Sequence, residues 1–335
     1  MKKYAVVLLN MGGPDSPAAV EPFLRNLFSD HDIFKIPFGQ KIFAGLIARW
    51  RGPKVRERYE RIGGRSPLNE WTNAQAALLR EMLRKESREI DVHVAMRYWQ
   101  PEIKDVAPAV SEKGYENTVL LPLYPHFSAT TTGSSFREWE RRYTGDHSRL
   151  VFVDQYCDNP QYISSINERI DETIMHFPAG VRDDIQIVFS AHGIPERLVK
   201  QGDPYSDQVK QTVKEVMAQR RFSHPHHLCF QSKVGPFPWL KPSTRDTLVE
   251  LAQNHQRQVL IVPVSFVSDH IETLFELNIE YKAIALDAGI EHYAVMPGLN
   301  ASETFVKALR DIALTALGLQ SSENQRMAAN GSKQA

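Results

Sequence analysis

The sequence predicts an α/β protein built as two Rossmann-like halves, each with a four-stranded parallel sheet flanked by helices. Three observations carry this. Short β-branched runs alternate with helical periodicity from end to end, which is the rhythm of parallel sheets with crossover helices. The runs fall into two sets of four. Unusual residues sit directly after several runs, and in open parallel sheets the carboxyl edge is where ligands gather.

Taken in order, the first set of strands is expected at Tyr4 to Leu9, Val92 to Arg97, Thr118 to Tyr124 and Leu150 to Gln155. The second set is expected at Ile185 to Ser190, His227 to Gln231, Val259 to Val264 and Tyr293 to Met296. Helical patterns lie between them, at Pro17 to Phe28, Trp71 to Arg88, Ile103 to Glu112, Ser134 to Tyr143, Pro160 to His176, Tyr205 to Arg220, Ser243 to Asn254, His270 to Ala288 and Ala301 to Leu317. These divide the chain into a first half over 1–155, a second over 156–298, and a final helix within 299–319 that can return to the first half. The polar, pattern-free segment 320–335 is expected to be a disordered tail. Lys2-Lys3 precede an apolar run of about six residues with no cleavage signal, so the amino terminus reads as a strand and not as a leader. No apolar stretch reaches the roughly 20 residues that span a bilayer.

Forty Lys plus Arg balance forty Asp plus Glu. No global field therefore favours nucleic acid. Two cysteines, Cys157 and Cys229, cannot make a disulfide framework or ligate an ordinary iron-sulfur cluster, and they read as packed thiols of a reducing cytoplasm. One insertion, residues 33–51, breaks the rhythm. It sets Phe34, Phe38, Phe43 and Trp50 among Lys35, Lys41, Arg49 and Arg51 with no acid between Ile33 and Arg51. Either a buried helix pair or a basic amphipathic lip for a membrane or an apolar ligand fits that composition.

The most informative stretch is Asp269 to Tyr281. On an α-helix, Asp269, Glu272, Glu276 and Glu280 share a sector about 80° wide, with Ile271, Leu274, Leu277 and Tyr281 opposite. No Lys or Arg occurs before Lys282 to relieve the repulsion between them. The preceding strand run, Val259 to Val264, delivers this row to the carboxyl edge of a sheet. Met11, Arg97, Tyr98, Tyr124 and His192 also follow strands directly, which predicts a cleft suited to a large flat ligand together with a cation. Other chemistries fit less well. Gly12-Gly13-Pro14 is not a dinucleotide fingerprint, and Ser190-Ala191-His192-Gly193 lacks a nucleophile elbow. The cluster His224, His226, His227 and Cys229 is interrupted by Pro225, and alternation along a strand separates its members.

Six motifs in order resemble those of the ferrochelatases, which insert ferrous iron into a porphyrin at the end of haem synthesis. They are Leu9-Asn10-Met11-Gly12-Gly13-Pro14, Arg61-Ile62-Gly63-Gly64-Arg65-Ser66-Pro67-Leu68, Leu123-Tyr124-Pro125-His126-Phe127-Ser128, Phe189-Ser190-Ala191-His192-Gly193-Ile194-Pro195, Phe230-Gln231-Ser232-Lys233-Val234-Gly235-Pro236 and Ser268-Asp269-His270-Ile271-Glu272-Thr273-Leu274. The resemblance implies a chelatase-like fold with His192 and Glu272 as the catalytic, metal-site pair, and Glu276 and Glu280 as a continuing acidic path. It implies Met11, Arg97, Tyr98 and Trp239 as the lining of the porphyrin pocket, with Tyr124 beside them in substrate binding. It implies no cofactor beyond the substrate Fe²⁺. The cysteine-ligated cluster of animal members has no counterpart here, so no iron-sulfur cluster is expected. Expected partners are a porphyrin and ferrous iron, with peripheral membrane contact through residues 34–51 and no nucleic acid. The expected location is the cytoplasm, at the inner face of a membrane.

The chemistry agrees with the resemblance. Metal insertion removes two pyrrole N–H protons, which asks for a base near neutral pKa, and an imidazole supplies one. Two alternatives remain open at this stage. A chelatase acting on coproporphyrin, with four carboxylates, would ask for more basic groups around the pocket, and the Met11-Gly12-Gly13 sequence looks more like protoporphyrin-type members. A tetrapyrrole or metal carrier would have no use for a histidine facing the acids.

Overall fold

A computed structural model describes residues 3–34, 38–86, 89–232 and 238–319. Lys35 of the lip, residues 233–237 of the fifth motif and the 320–335 tail lie outside the described residues. The first sheet comprises β1 (Lys3–Asn10), β2 (Glu89–Met96), β3 (Thr118–Pro122) and β4 (Leu150–Phe152) in the order β2-β1-β3-β4. The second comprises β5 (Gln186–His192), β6 (His226–Gln231), β7 (Gln258–Val262) and β8 (His292–Val295) in the order β6-β5-β7-β8. Every pairing is parallel. All eight expected strands are present, with ends displaced by at most three residues.

The helices are α1 (Val20–Phe28), α2 (Gln40–Glu60), α3 (Leu68–Leu83), α4 (Ile103–Ser111), α5 (Thr132–Arg142), α6 (Pro160–Ile174), α7 (Glu196–Lys200), α8 (Tyr205–Gln219), α9 (Thr244–Gln253), α10 (Lys282–Ala288) and α11 (Glu303–Ala316). Alternation along the strands sorts their side chains into layers. On β1, Tyr4, Val6 and Leu8 face one core while Ala5, Val7 and Leu9 face another with α4 and α5. On β5 and β7, Ile187, Phe189, Leu260 and Val262 enter that same first core, whereas Val188, Val259 and Ile261 pack with α9 and α10. The inner faces of both sheets therefore share one apolar interior. Phe305, Leu309 and Leu314 of α11 lie in it too, and α11 packs against both α6 and α3.

Two elements differ from expectation. The lip helix α2 runs on to Glu60, through Gly52 and Pro53, which intrinsic propensity disfavours. Packing along α1 holds it through that point. Its buried stripe is small, with Ala44, Ala48 and Gly52, while Ile42, Leu46 and Trp50 are 73%, 65% and 81% exposed. The amphipathic order is thus inverted relative to an ordinary surface helix. The second difference is the acid row, which lies on a π-helix, Glu272–Tyr281, and not on an α-helix. With i→i+5 bonding, about 82° separates successive residues, and Glu272, Glu276 and Glu280 still share a sector about 65° wide. The packed residues become Thr273 and Leu277 on one flank and Phe275 on the other, so the row runs between two buried flanks.

Candidate active site at the facing sheet edges

β5 ends on His192, and the turn after it must be tight. A Cβ on Gly193 would lie 2.8 Å from the Gln231 carbonyl oxygen and 3.1 Å from the Trp239 ring, so only glycine lets both close against the histidine. The His192 N–H donates to Ser265 Oγ at 2.9 Å, and its carbonyl accepts from the Tyr205 hydroxyl at 2.9 Å. Its ring stands edge-on between Trp239 and Phe266, with centroids 6.3 Å away in each case. Backbone and ring are thereby fixed.

His192 Nδ1 lies 2.9 Å from Glu272 Oε2. An ionised carboxylate only accepts, so in the neutral ring Nδ1 carries the proton and Nε2 presents its lone pair. Among the described residues Nε2 has no hydrogen bond. Burial disfavours charge on His192, but the Glu272 charge and hydrogen bond, with Glu276 behind them, raise its pKa above 6.5. Burial likewise opposes ionisation of Glu272, yet His192, assisted by His270, holds that carboxyl well below the usual range. Glu276 moves the other way, raised by burial and by the neighbouring Glu272 charge.

Each acid of the row has a partner remote in sequence, which corrects the expectation of unrelieved charge. Ser232, at φ 63°, donates its N–H and hydroxyl to the two oxygens of Glu276 at 2.9 and 2.6 Å. Its hydroxyl also lies 3.3 Å from Glu272 Oε2. Glu280 pairs with Arg58 of α2 at 3.1 Å. Asp269 leaves the row altogether, accepting from Thr273 Oγ1, Gly298 N–H and Asn300 Nδ2 at 3.0, 3.1 and 2.7 Å. It anchors the loop that starts the π-helix.

The first sheet faces this with a wall. Gly12, at φ 79°, follows Met11 where a Cβ would meet Trp99 at 2.8 Å. Met11 is partly buried and, like Trp99 and Ile271, packs against the cluster that joins Tyr98 to α1 and α2. Arg97 and Tyr98 are tied inward. Arg97 Nη2 lies 3.0 Å from Asp30 and its Nε donates to Ser134 Oγ at 2.8 Å, while the Tyr98 hydroxyl donates to Asp30 at 2.6 Å. Burial raises the Tyr124 phenol, with Ser135 and Arg97 beside it. Contacts across the cleft hold the two sides: Gln75 of α3 donates to Ser268 Oγ and to the Asn300 carbonyl at 2.9 and 2.8 Å.

Other candidates fall away. His224 contacts the Arg182 carbonyl, His227 contacts Gln186, and Cys229 is buried against Phe189 and Thr244. A cavity of about 1030 Å³ lies between the halves, lined by Phe127, Phe152, Tyr156, Asn159, Gln208 and Ile312, and it contains none of the expected site residues. The perturbed, interacting pair His192 and Glu272 is a stronger candidate for the site than the cavity is.

The sequence profile described as ferrochelatase matches residues 3–317. The chain belongs to the ferrochelatase family. It is 44% identical over 315 residues to the ferrochelatase of Geotalea uraniireducens, covering 93% of this chain and 97% of that one. It is 42% identical over 314 residues to the ferrochelatase of Aquifex aeolicus, covering 92% and 98% respectively. Among solved structures, SirB from Bacillus subtilis with Fe³⁺ aligns over 94% of this chain and 98% of its own, with a TM-score of 0.52 at 13% identity. CbiX, the terminal enzyme for biosynthesis of siroheme in denitrifying bacteria, aligns at 0.50 and 13%, over 93% of this chain and 98% of its own. These two share the fold. This ferrochelatase is a metal chelatase whose substrate cation is Fe²⁺.

Sequence reasoning missed Asp30, Arg58 and the distinct role of Ser232. Asp30 and Arg58 acquire their meaning from partners 67 and 222 positions away. Ser232 carried one signal, its place within the fifth motif.

Proposed function

We propose that this ferrochelatase inserts Fe²⁺ into protoporphyrin IX between the two sheet edges, with His192 as the base and Glu272 as its orienting partner. The observation that carries this is the 2.9 Å Nδ1 to Glu272 contact, which leaves Nε2 unbonded toward the cleft. Nε2 accepts a pyrrole N–H proton, and the Glu272 carboxylate stabilises the imidazolium that results. Both pyrrole protons leave by this base in turn, passing outward along Glu276 and Glu280. The Fe²⁺ cation approaches along the same carboxylate oxygens, drawn by their negative charge. Met11, Tyr98, Tyr124 and Trp239 provide the apolar wall against which the ring is held.

Arg97 favours protoporphyrin over coproporphyrin. Its guanidinium is already committed to Asp30 and Ser134, so it offers little to extra substrate carboxylates. Anaerobic mixing with Fe²⁺ and each porphyrin, followed in the Soret band, tests the reading. Conversion of protoporphyrin faster than coproporphyrin is expected; binding without conversion would make the protein a carrier.

The exposed face of α2, with Ile42, Leu46 and Trp50 beside Lys41 and Arg49, and exposed Phe38 just before the helix support peripheral association with an anionic bilayer. No helix among the described residues is long and apolar enough to cross one. Salt-sensitive cosedimentation with phosphatidylglycerol vesicles is expected, and protein left in the supernatant at low salt would assign that face to the porphyrin alone.

A further inference from the structure

We propose that Arg58 sets how strongly the outer end of the acid row attracts a metal cation, an inference that rests on reading that row as the iron path. The helix α2 does two jobs along its length. Its first half turns large apolar side chains outward, whereas beyond Gly52 and Pro53 the Arg58 side chain reaches the π-helix. There Arg58 Nη2 lies 3.1 Å from Glu280 Oε1, and the Arg58 and Arg61 guanidinium carbons stand 5.2 and 5.0 Å from the centre of the Phe275 ring.

Glu280 is the last acid of the row and the farthest from His192 in sequence. Its pair with Arg58 is about one-third exposed on each side, so it is neither sealed nor freely solvated. Glu272 is partnered by a histidine and Glu276 by a serine, but Glu280 alone in the row faces a permanent cation. A fixed positive charge at that position cancels the carboxylate most exposed to an arriving metal. It also gives a cation something to displace. Removing the charge leaves a bare carboxylate at the mouth, which raises the local concentration of divalent cations. The cation–π contacts to Phe275 place the guanidinium independently of Glu280, so Arg58 stays at the mouth while the carboxylate exchanges partners.

Arg58→Gln, which keeps most of the aliphatic stem, is the variant to measure. Steady-state kinetics under anaerobic conditions should show the KM for Fe²⁺ falling about two- to fivefold, the range expected for one partly exposed ion pair, with the KM for protoporphyrin unchanged. Raising ionic strength should narrow the difference. In a Glu280→Gln background the same substitution should have no effect on the iron KM. An unchanged iron KM in Arg58→Gln overturns the proposal. So does an equal change with or without Glu280, because Arg58 would then act by packing on Phe275. Glu276→Gln reads the path separately: a raised iron KM there with no response to Arg58→Gln overturns the role of Arg58 alone, whereas a wild-type iron KM there overturns the path.

Discussion

Strand order β2-β1-β3-β4 in the first sheet repeats as β6-β5-β7-β8 in the second, yet the two carboxyl edges handle polar groups in opposite ways. On the first edge Arg97, Tyr98 and Ser134 all turn inward onto Asp30, whose side chain is 1% exposed. On the second edge His192 and Glu272 bond to each other but remain 35% and 23% exposed, with one imidazole nitrogen left over. A closed network makes a rigid wall, and an incomplete one leaves hydrogen-bonding capacity free for a ligand. The same scaffold serves both ends because catalysis needs hydrogen-bonding capacity that folding has not already used.

Paired substitutions separate these two edges, and the largest effects should come first. His192→Ala should fold and bind porphyrin normally while losing about 10² to 10⁴ in kcat, the range for a positioned base. Asp30→Ala should do the reverse in kind. It leaves a buried guanidinium and two hydroxyls without their acceptor, and a loss of about 3–5 kcal/mol is expected in urea unfolding. Comparable stability losses in both variants would erase the distinction between wall and site.

A smaller effect probes the seam between the halves. His126 is buried, and its Nε2 lies 2.8 Å from Thr212 Oγ1 of α8. The Thr212 hydroxyl donates to a backbone carbonyl, that of Cys157 at 2.6 Å, so Nε2–H is the donor to Thr212 and Nδ1 is buried without a partner. Burial lowers the His126 pKa from 6.5 to about 3. The unfolded chain therefore takes up a proton near pH 6.5 that the folded chain refuses until far lower pH. This contribution is complete above pH 6.5 and is lost as the pH falls, by about 2 kcal/mol at pH 5. Denaturant melts at pH 7 and pH 5 should show His126→Gln losing less stability than wild type over that interval. Parallel losses would place the acid sensitivity elsewhere.

Periodicity and composition alone determined the α/β class, the eight strands and the residues delivered to the carboxyl edge, because burial on both faces of a parallel sheet imposes a local apolar signature that needs no partner to be recognised. The motifs added the family, and with it the proposal of His192 and Glu272 as the site pair. Tertiary structure decided what those residues meet. The acid row looked unrelieved because Arg58 and Ser232 are distant in sequence, and the π-winding of Glu272–Tyr281 was hidden because acids at every fourth position align on either helix. The inverted face of α2 was equally undecidable, since its side chains are apolar on the outward side and small on the inward one only with respect to α1. Whether a charge is catalytic, structural or cancelled depends on what lies within about 4 Å of it, where Coulomb and hydrogen-bond energies are large, and in a doubly wound chain those neighbours come from crossovers far apart in sequence.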